Sequence, residues 1–517
     1  MWEKALMLRL EHEKDPKVLR QAALLLEAEN RRLVQKVSEL MRRLHTLEGK
    51  DEGQLALEIE RLNAQLDKVQ QQLYGRSSEK RKSPNDSQES TEAEGTESKR
   101  TGHGPRTQPN LPIKEQVHDL DEPDKTCPKC GGGLEEWKGQ EEESEEITVI
   151  RRQFVLLEHK RKKYRCGCNG HVEVAPGPIK LIPGGRYSLD FAVEVGVDKY
   201  GDHMPLEREV RRMAREGLET SSQVLWDQLD ALARVLAPLH GAIGDHVRKG
   251  GVLLVDETPW WMLKKARQKW QLWGAMNEDA AFYQICSSRS ADAAKKLLAG
   301  FEGIMVCDAM KAYKKLARDG PRLILAGCNA HARRKFVEIE ANYPEECEEI
   351  LDLYKALYRV EAKVPAGRLT GGEATARLDL LRQLRNEESR PIMKEMRAWA
   401  NATAPRHLKR SGLGEAIGYL LNHWKPLTVF LDDPRVPIDN NRMERGLRGP
   451  VCGRKNHHGS KSKRGTEVAA VLYSIVESCK LVRLDPHAYL KAAAETALRS
   501  DGKEVHPLPH QVADGLA

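Results

Sequence analysis

From Gly250 to Cys328 the apolar residues of this chain gather into five short runs: GVLLVD, KWQLWGAM, AAFYQIC, GIMVCD and PRLILAGC. Runs of this length, rich in β-branched and aromatic residues and closed by polar turns such as Asn277-Glu278-Asp279, read as strands. SADAAKKLLAGF, between the third and fourth runs, reads as a helix. The resulting order, βββ-α-β-α-β, constrains the fold more than any other feature of the sequence. The first strand ends in Asp256 and the fourth in Asp308.

That element order is the order of a ribonuclease-H-like α/β core, in which the first and fourth strands are neighbours. Carboxylates near the ends of both then face each other, the geometry needed to hold divalent metal ions roughly 3.5–4 Å apart. A two-metal site usually needs a third carboxylate. Glu444 is the candidate, in the segment IDNNRMERGLRGPVCGRKNHHGSKSKRG. It stands among Arg442, Arg445 and Arg448 and is followed by Arg454, Lys455, His457 and His458. The competing reading is a salt-bridged basic helix in which Glu444 pairs with Arg448 at i+4. Against it stand the flanking Gly, Pro, Asn and His residues, which make a poor ordinary helix. Residues 337–430, rich in Leu, Ala, Arg and Glu, read as an all-α insertion between the second carboxylate and the third.

Charge points to the same place. The chain has 84 Lys and Arg against 77 Asp and Glu, a formal net charge of +7. Residues 441–464 alone, with eight basic residues and one acidic, carry an excess of that size. The arginines and Lys455 of this patch are candidates for phosphate contacts, which position DNA without reading its sequence. No run approaches the roughly 20 apolar residues of a membrane helix, and the N-terminus lacks the apolar stretch of a signal peptide. A membrane or secreted protein is therefore not expected, and the expected location is the cytoplasm. Six cysteines (Cys286, Cys307, Cys328, Cys347, Cys452, Cys479) are scattered singly, which suits reduced, buried thiols.

The other four form two close pairs. Cys127 and Cys130 make a C-x₂-C knuckle followed by glycines, and Cys166 and Cys168 return after two predicted strands. Four thiolates from two knuckles match a tetrahedral structural Zn²⁺ site of zinc-ribbon type. The second knuckle is C-x-C, and His171 is an alternative to one of its cysteines. Upstream, Leu26, Leu33, Leu40 and Leu47 repeat every seven residues, with Asn30 at an interleaved position, the pattern of a parallel two-stranded coiled coil. The segment after Arg76 has almost no large apolar residues and reads as a disordered linker. After the ribbon, two short helices joined by a turn resemble a helix-turn-helix. Pro205 starts the first, Gly217 ends it, and Thr220 or Ser221 caps the second.

Several longer motifs carry a resemblance. LYGRSSEK at 73–80, CPKCGGGL at 127–134, KYGDHMPLER at 199–208, DETP at 256–259 and HARRKF at 331–336 belong to it. So do VPIDNNRMERGLRGPVCGRKNHHGS at 436–460 and LYSIVESCKLVRLDPHAYL at 472–490. Over nearly its full length the chain resembles the transposases of the insertion sequence 66 family, TnpC type. The resemblance implies a DDE transposase with Asp256, Asp308 and Glu444 as its metal-binding triad. Mg²⁺ or Mn²⁺ would serve metal-dependent cleavage and strand transfer, since all three ligands are carboxylate oxygens. His331, Arg333 and Arg334 are candidates for contact with the scissile phosphate or the flanking backbone. Expected partners are DNA (terminal inverted repeats and target), a second copy through the coiled coil, and small accessory proteins of the same element.

The expected layout is multidomain α+β. It comprises a coiled coil at 1–75, a linker at 76–115, a zinc ribbon at 116–183 and a helical DNA-binding region at 184–248. A ribonuclease-H-like core follows at 249–336 plus 431–470, with the helical insertion at 337–430 and a helical tail at 471–517. Three departures from the family pattern are visible: Ala309-Met310 after the second aspartate, Asn329 where a tryptophan is expected, and Trp260-Trp261 after DETP. None removes a carboxylate. The rival readings are a DNA-binding regulator with an inert core and a nuclease without strand transfer.

Overall fold

The computed structural model describes residues 125, 129, 131–134, 147, 152–165, 171–263, 270–308, 311–319, 322–365 and 367–515. Two units are distinguished, one containing Phe154–Ala517 and one ending at Gln153. The heptad helices and the linker lie outside the described residues, as do Cys127, Cys130, Cys166 and Cys168. In the smaller unit the Leu134 amide donates to the Lys125 carbonyl at 2.7 Å, and Gly131 takes a φ of +74°. Glycine adopts that backbone at little cost.

Among the described residues of the larger unit, the first strands are a short antiparallel pair, β1 (Lys163–Arg165) and β2 (Val172–Val174). Four helices follow: α1 (Leu189–Tyr200), α2 (Leu206–Arg215), α3 (Ser222–Val235) and α4 (Ala237–Lys249). Pro205 is the N-cap of α2, Gly217 lies just past its end at φ +89°, and Ser221 Oγ accepts the Val224 amide to cap α3. Leu225, Leu229, Leu232 and Ala233 of α3 are buried in a core shared with the sheet.

The sheet contains β3 (Val252–Trp260), β4 (Trp270–Met276), β5 (Ala281–Cys286), β6 (Gly303–Cys307) and β7 (Leu323–Gly327), in the order β5-β4-β3-β6-β7. The first three strands are antiparallel, and β6 and β7 run parallel to β3. The first and fourth strands are thus neighbours, as the element order requires. One local expectation fails, because β3 does not end at Asp256 but runs on to Trp260. β4 pairs with it along that whole stretch, whereas its last rung with β6 is Leu254. Beyond that rung one edge of β3 is bare, and side chains from a distant helix cover it. Asn440 Nδ2 donates to the Val255 carbonyl at 3.0 Å, and the Arg454 guanidinium donates to the Pro259 carbonyl. Val255 and Pro259, four residues apart, face the same edge, so the missing proline amide falls where the ladder has no partner.

Helices α5 (Ala291–Leu297), α6 (Lys311–Asp319) and α7 (Asn329–Val337) connect and follow the later strands. The insertion is helical: α8 (Pro344–Glu361), α9 (Gly371–Leu384), a π turn (Arg385–Ser389), α10 (Arg390–Thr403), α11 (Gly412–Asn422) and α12 (Trp424–Thr428). At the π turn the buried Arg385 pairs with both Glu361 oxygens at 2.8 Å. The same guanidinium donates to the carbonyls of Phe430 and Val436, at 2.7 and 3.0 Å. It fixes the path by which the chain re-enters the core.

Helix α13 (Asn441–His457) carries Pro450 in its interior and continues through it. Pro450 has no amide for the Gly446 carbonyl, and Tyr283 Oη of β5 donates to that carbonyl instead, at 2.8 Å. The chain ends with α14 (Lys463–Leu481), α15 (Pro486–Arg499) and α16 (Pro509–Ala513). Helix α14 crosses residue 470 without a break and is buried almost throughout. Its Ser474 and Ser478 hydroxyls accept the amides of Tyr283 and Ala281, at 2.9 and 3.0 Å, closing the outer edge of β5 against further pairing. Among the described residues, no helix is long and apolar enough to cross a membrane.

Candidate active site

Strand pairing sets the segments that lead to two of the carboxylates side by side. Val252, Leu253 and Leu254 of β3 stand opposite Ile304, Met305 and Val306 of β6. That ladder stops two residues short of Asp256, and β6 ends one residue before Asp308, whose charge reaches the Asp256 carboxyl. On its other side Asp256 stands opposite Gly274 of β4, and residues directly opposite share a face. A Cβ at Gly274 would run into the Met443 methyl of α13. Helix α13 therefore lies on the face of Asp256, and Glu444 is the next residue along it. Burial pushes the Asp256 carboxyl up to about 7, and the negative charges of Glu257, Asp308 and Glu444 add to it. The charges of Asp308 and Glu444 both reach Asp256, and a cation there would relieve them. A divalent ion held by oxygen ligands suits that donor set.

The Glu257 side chain, next along an alternating strand, leaves on the other face. It accepts from Arg289 Nε at 2.9 Å and from Tyr313 Oη at 2.7 Å. Burial raises its carboxyl, and those two donors oppose the shift. Sequence reasoning quoted Glu257 within DETP and gave it no role. Tyr313, on α6, is its partner.

Glu444 leans toward α7. Its Oε1 is buried without a hydrogen-bond partner and lies 3.6 Å from His331 Nε2, while Oε2 lies 3.9 Å from the Arg334 guanidinium. His331 and Arg334, one turn apart, share the helix face that meets Glu444. Cys328 is the N-cap residue of α7. Its buried Sγ accepts the Asn440 amide at 3.2 Å, and burial pushes the thiol up to about 12. Among the described residues, Cys328, His331 and Glu444 are the trio of potential ligands whose donor atoms all lie within 4.8 Å of one another. The three carboxylates do not close to that distance.

The basic residues named from the sequence separate into two groups. Arg445, Arg448 and Lys455 are exposed on the helix that carries Glu444. Arg442 and Arg454 are engaged by the protein itself. The Arg442 guanidinium donates to the Glu278 carbonyl in the β4–β5 turn. Arg454 is 8% exposed, reaches Thr258 Oγ1 at 3.1 Å and lies 5.4 Å from the Trp261 ring. Arg333 lies within electrostatic reach of Tyr354 in the insertion. His171 Nε2 sits 3.0 Å from Glu173 Oε2. Two of the three departures find places. Asn329 is buried, and its side-chain amide donates to the carbonyls of Leu427 and Ile438, both at 3.1 Å. Trp260 is buried and donates to Ser460 Oγ at 3.1 Å. Ala309 and Met310 lie outside the described residues.

Comparison with known proteins agrees with this architecture. Residues 184–468 match the family model described as Transposase IS66 family, and residues 124–169 match the zinc-finger binding domain of transposase IS66. The uncharacterized protein y4hP of Sinorhizobium fredii is 30% identical over 397 residues, covering 71% of this chain and 70% of that protein. The uncharacterized protein y4jD of the same organism is 31% identical over 390 residues, covering 72% and 74%. The chain is thus of the class that moves DNA segments, an insertion-sequence transposase with a zinc-binding, DNA-binding domain. It belongs to the IS66 transposase family.

Proposed function

We propose that the chain cuts the ends of its element and joins them to target DNA by phosphoryl transfer on a ribonuclease-H-like core. In this reading Asp256, Asp308 and Glu444 hold two Mg²⁺ or Mn²⁺ ions. When bound, such ions activate the attacking oxygen and stabilise the leaving one. The observation that supports the reading is that β3, which carries Asp256, pairs with β6, which ends one residue before Asp308, while α13, which carries Glu444, packs on the Asp256 face. Asp256 lies in β3 and Asp308 directly follows the neighbouring strand β6. Glu444 comes from a helix that the insertion delivers. His331 and Arg334 orient its carboxylate, and the exposed Arg445, Arg448 and Lys455 take the flanking phosphates. Cys127, Cys130, Cys166 and Cys168, all within the zinc-finger match, hold a structural zinc. The heptads at Leu26–Leu47 pair two copies on the DNA.

The test incubates the protein with labelled terminal inverted repeats, target plasmid and Mg²⁺ or Mn²⁺. Joined products that disappear in Asp256→Asn support transposition. Cleavage without joining favours a nuclease, and binding without any cleavage favours a regulator with an inert core. For the ribbon, metal analysis of the purified protein gives about one tightly held zinc per chain, reduced in Cys127→Ser. A metal-free, stably folded protein would refute that assignment.

A further inference from the structure

Glu444 faces two different sets of neighbours, and they differ in chemistry. Asp256 and Asp308 offer only oxygen. On the other side Cys328 and His331 offer a thiol and an imidazole at C-x-x-H spacing on one helix start. Sulfur, nitrogen and oxygen donors together select zinc over magnesium. We propose that Cys328, His331 and Glu444 form a second, zinc-selective site that competes with the carboxylate trio for Glu444, so that Zn²⁺ inhibits the reaction.

Geometry supports the site. Zinc bonds of roughly 2.0–2.3 Å in a tetrahedron put ligand atoms roughly 3.4–3.7 Å apart. His331 Nε2 and Glu444 Oε1 stand at 3.6 Å. The donor atoms of the trio lie within 4.8 Å of one another, so the thiol needs a shift of only about 1 Å to complete the triangle. Glu444 Oε1, the atom nearest the histidine, is buried without a hydrogen-bond partner. Arg334 engages the other oxygen, Oε2. The Asn440 amide already donates to the Cys328 sulfur at 3.2 Å. On binding, the sulfur–zinc bond replaces the sulfur–hydrogen bond and the proton leaves to solvent, with no change of oxidation state. The fourth position remains open to water. Glu444, drawn to this site, no longer completes the carboxylate trio.

Zinc uptake by the full chain decides the proposal, and it is measured independently of catalysis. After titration with ZnCl₂ and gel filtration, wild-type protein retains one zinc beyond the equivalent held by the ribbon. Cys328→Ser and Cys328→Ala do not retain it, and their affinity for that second ion falls by more than about tenfold. In the joining assay with Mg²⁺ in excess, the zinc concentration that halves the rate rises by a similar factor in Cys328→Ser. The inhibitory consequence rests on the role of Glu444 proposed above, but the uptake does not. A chain that joins no DNA yet takes up the second zinc would sink that role and leave the site standing. Wild-type protein that retains only the ribbon's zinc, or a Cys328→Ser variant that retains as much as wild type, overturns the proposal.

Discussion

Arg448 and Arg454 sit on the same helix within the same basic run, yet they do different things. Arg448 is exposed, while Arg454 is buried against Pro259, Thr258 and Trp261. The sequence presents both as one cationic patch, and nothing in their spacing from Glu444 separates them. What separates them is which carbonyls β3 leaves bare beyond β6, a property of another part of the chain. Arg454→Met should therefore lower stability by about 1–3 kcal/mol, because it strips a buried carbonyl of its donor. Its denaturation midpoint is the measurement. Arg448→Ala should leave the midpoint unchanged, weaken binding to all DNA sequences alike and reduce the salt slope by about one. Asp256 and Asp308 were visible as candidates because each follows an apolar run with a charge. Glu257 was not, since its role depends on Arg289 and Tyr313.

Helix α13 is the element that sequence patterns describe worst. Its glycines and Pro450 argue against a helix, and it forms one of 17 residues all the same. The reason is tertiary, because Tyr283 supplies the hydrogen bond that Pro450 cannot. A double-mutant cycle isolates that contact. Tyr283→Phe should cost about 1–3 kcal/mol by leaving the Gly446 carbonyl unpaired. In a Pro450→Ala background, where residue 450 regains its amide, most of that cost should vanish. Additive losses in the chemical denaturation of the four proteins would contradict this account. By contrast, the start of α3 was legible to within one residue, Thr220 or Ser221, because Ser221 caps through its own side chain three residues from its target. Local signals survived into the structure, and the long-range hydrogen bonds that rescue α13 left no trace in the sequence.

At the scale of the molecule, the sheet and helices α1, α3, α4 and α14 share one core, so acid should weaken them together. Burial holds His240 down at about 4 and His457 at about 3, against an ordinary value near 6.5. Between pH 6.5 and 4 the unfolded chain takes up protons that the folded chain refuses, so stability falls as pH falls through that window. Above pH 6.5 both histidines are neutral in both states and the effect is absent. His240 alone should remove about 1–2 kcal/mol at pH 5. His240→Gln, which keeps a donor for the Tyr283 carbonyl, should flatten the fall in melting temperature from pH 7 to pH 5. The strand order of the core was legible from the order of apolar runs, while the burial of α14 was not, since its serines look polar until β5 lies beside them. The central claim is that three carboxylates on one face of this sheet perform the chemistry. Single-turnover joining of the element's own ends in Mg²⁺ tests it with Asp256→Asn, Asp308→Asn and Glu444→Gln. Each should lose at least about 10²-fold in rate, with end binding kept and melting temperature unchanged or raised as like charges are removed. Joining at the wild-type rate by any one of the three would contradict the account.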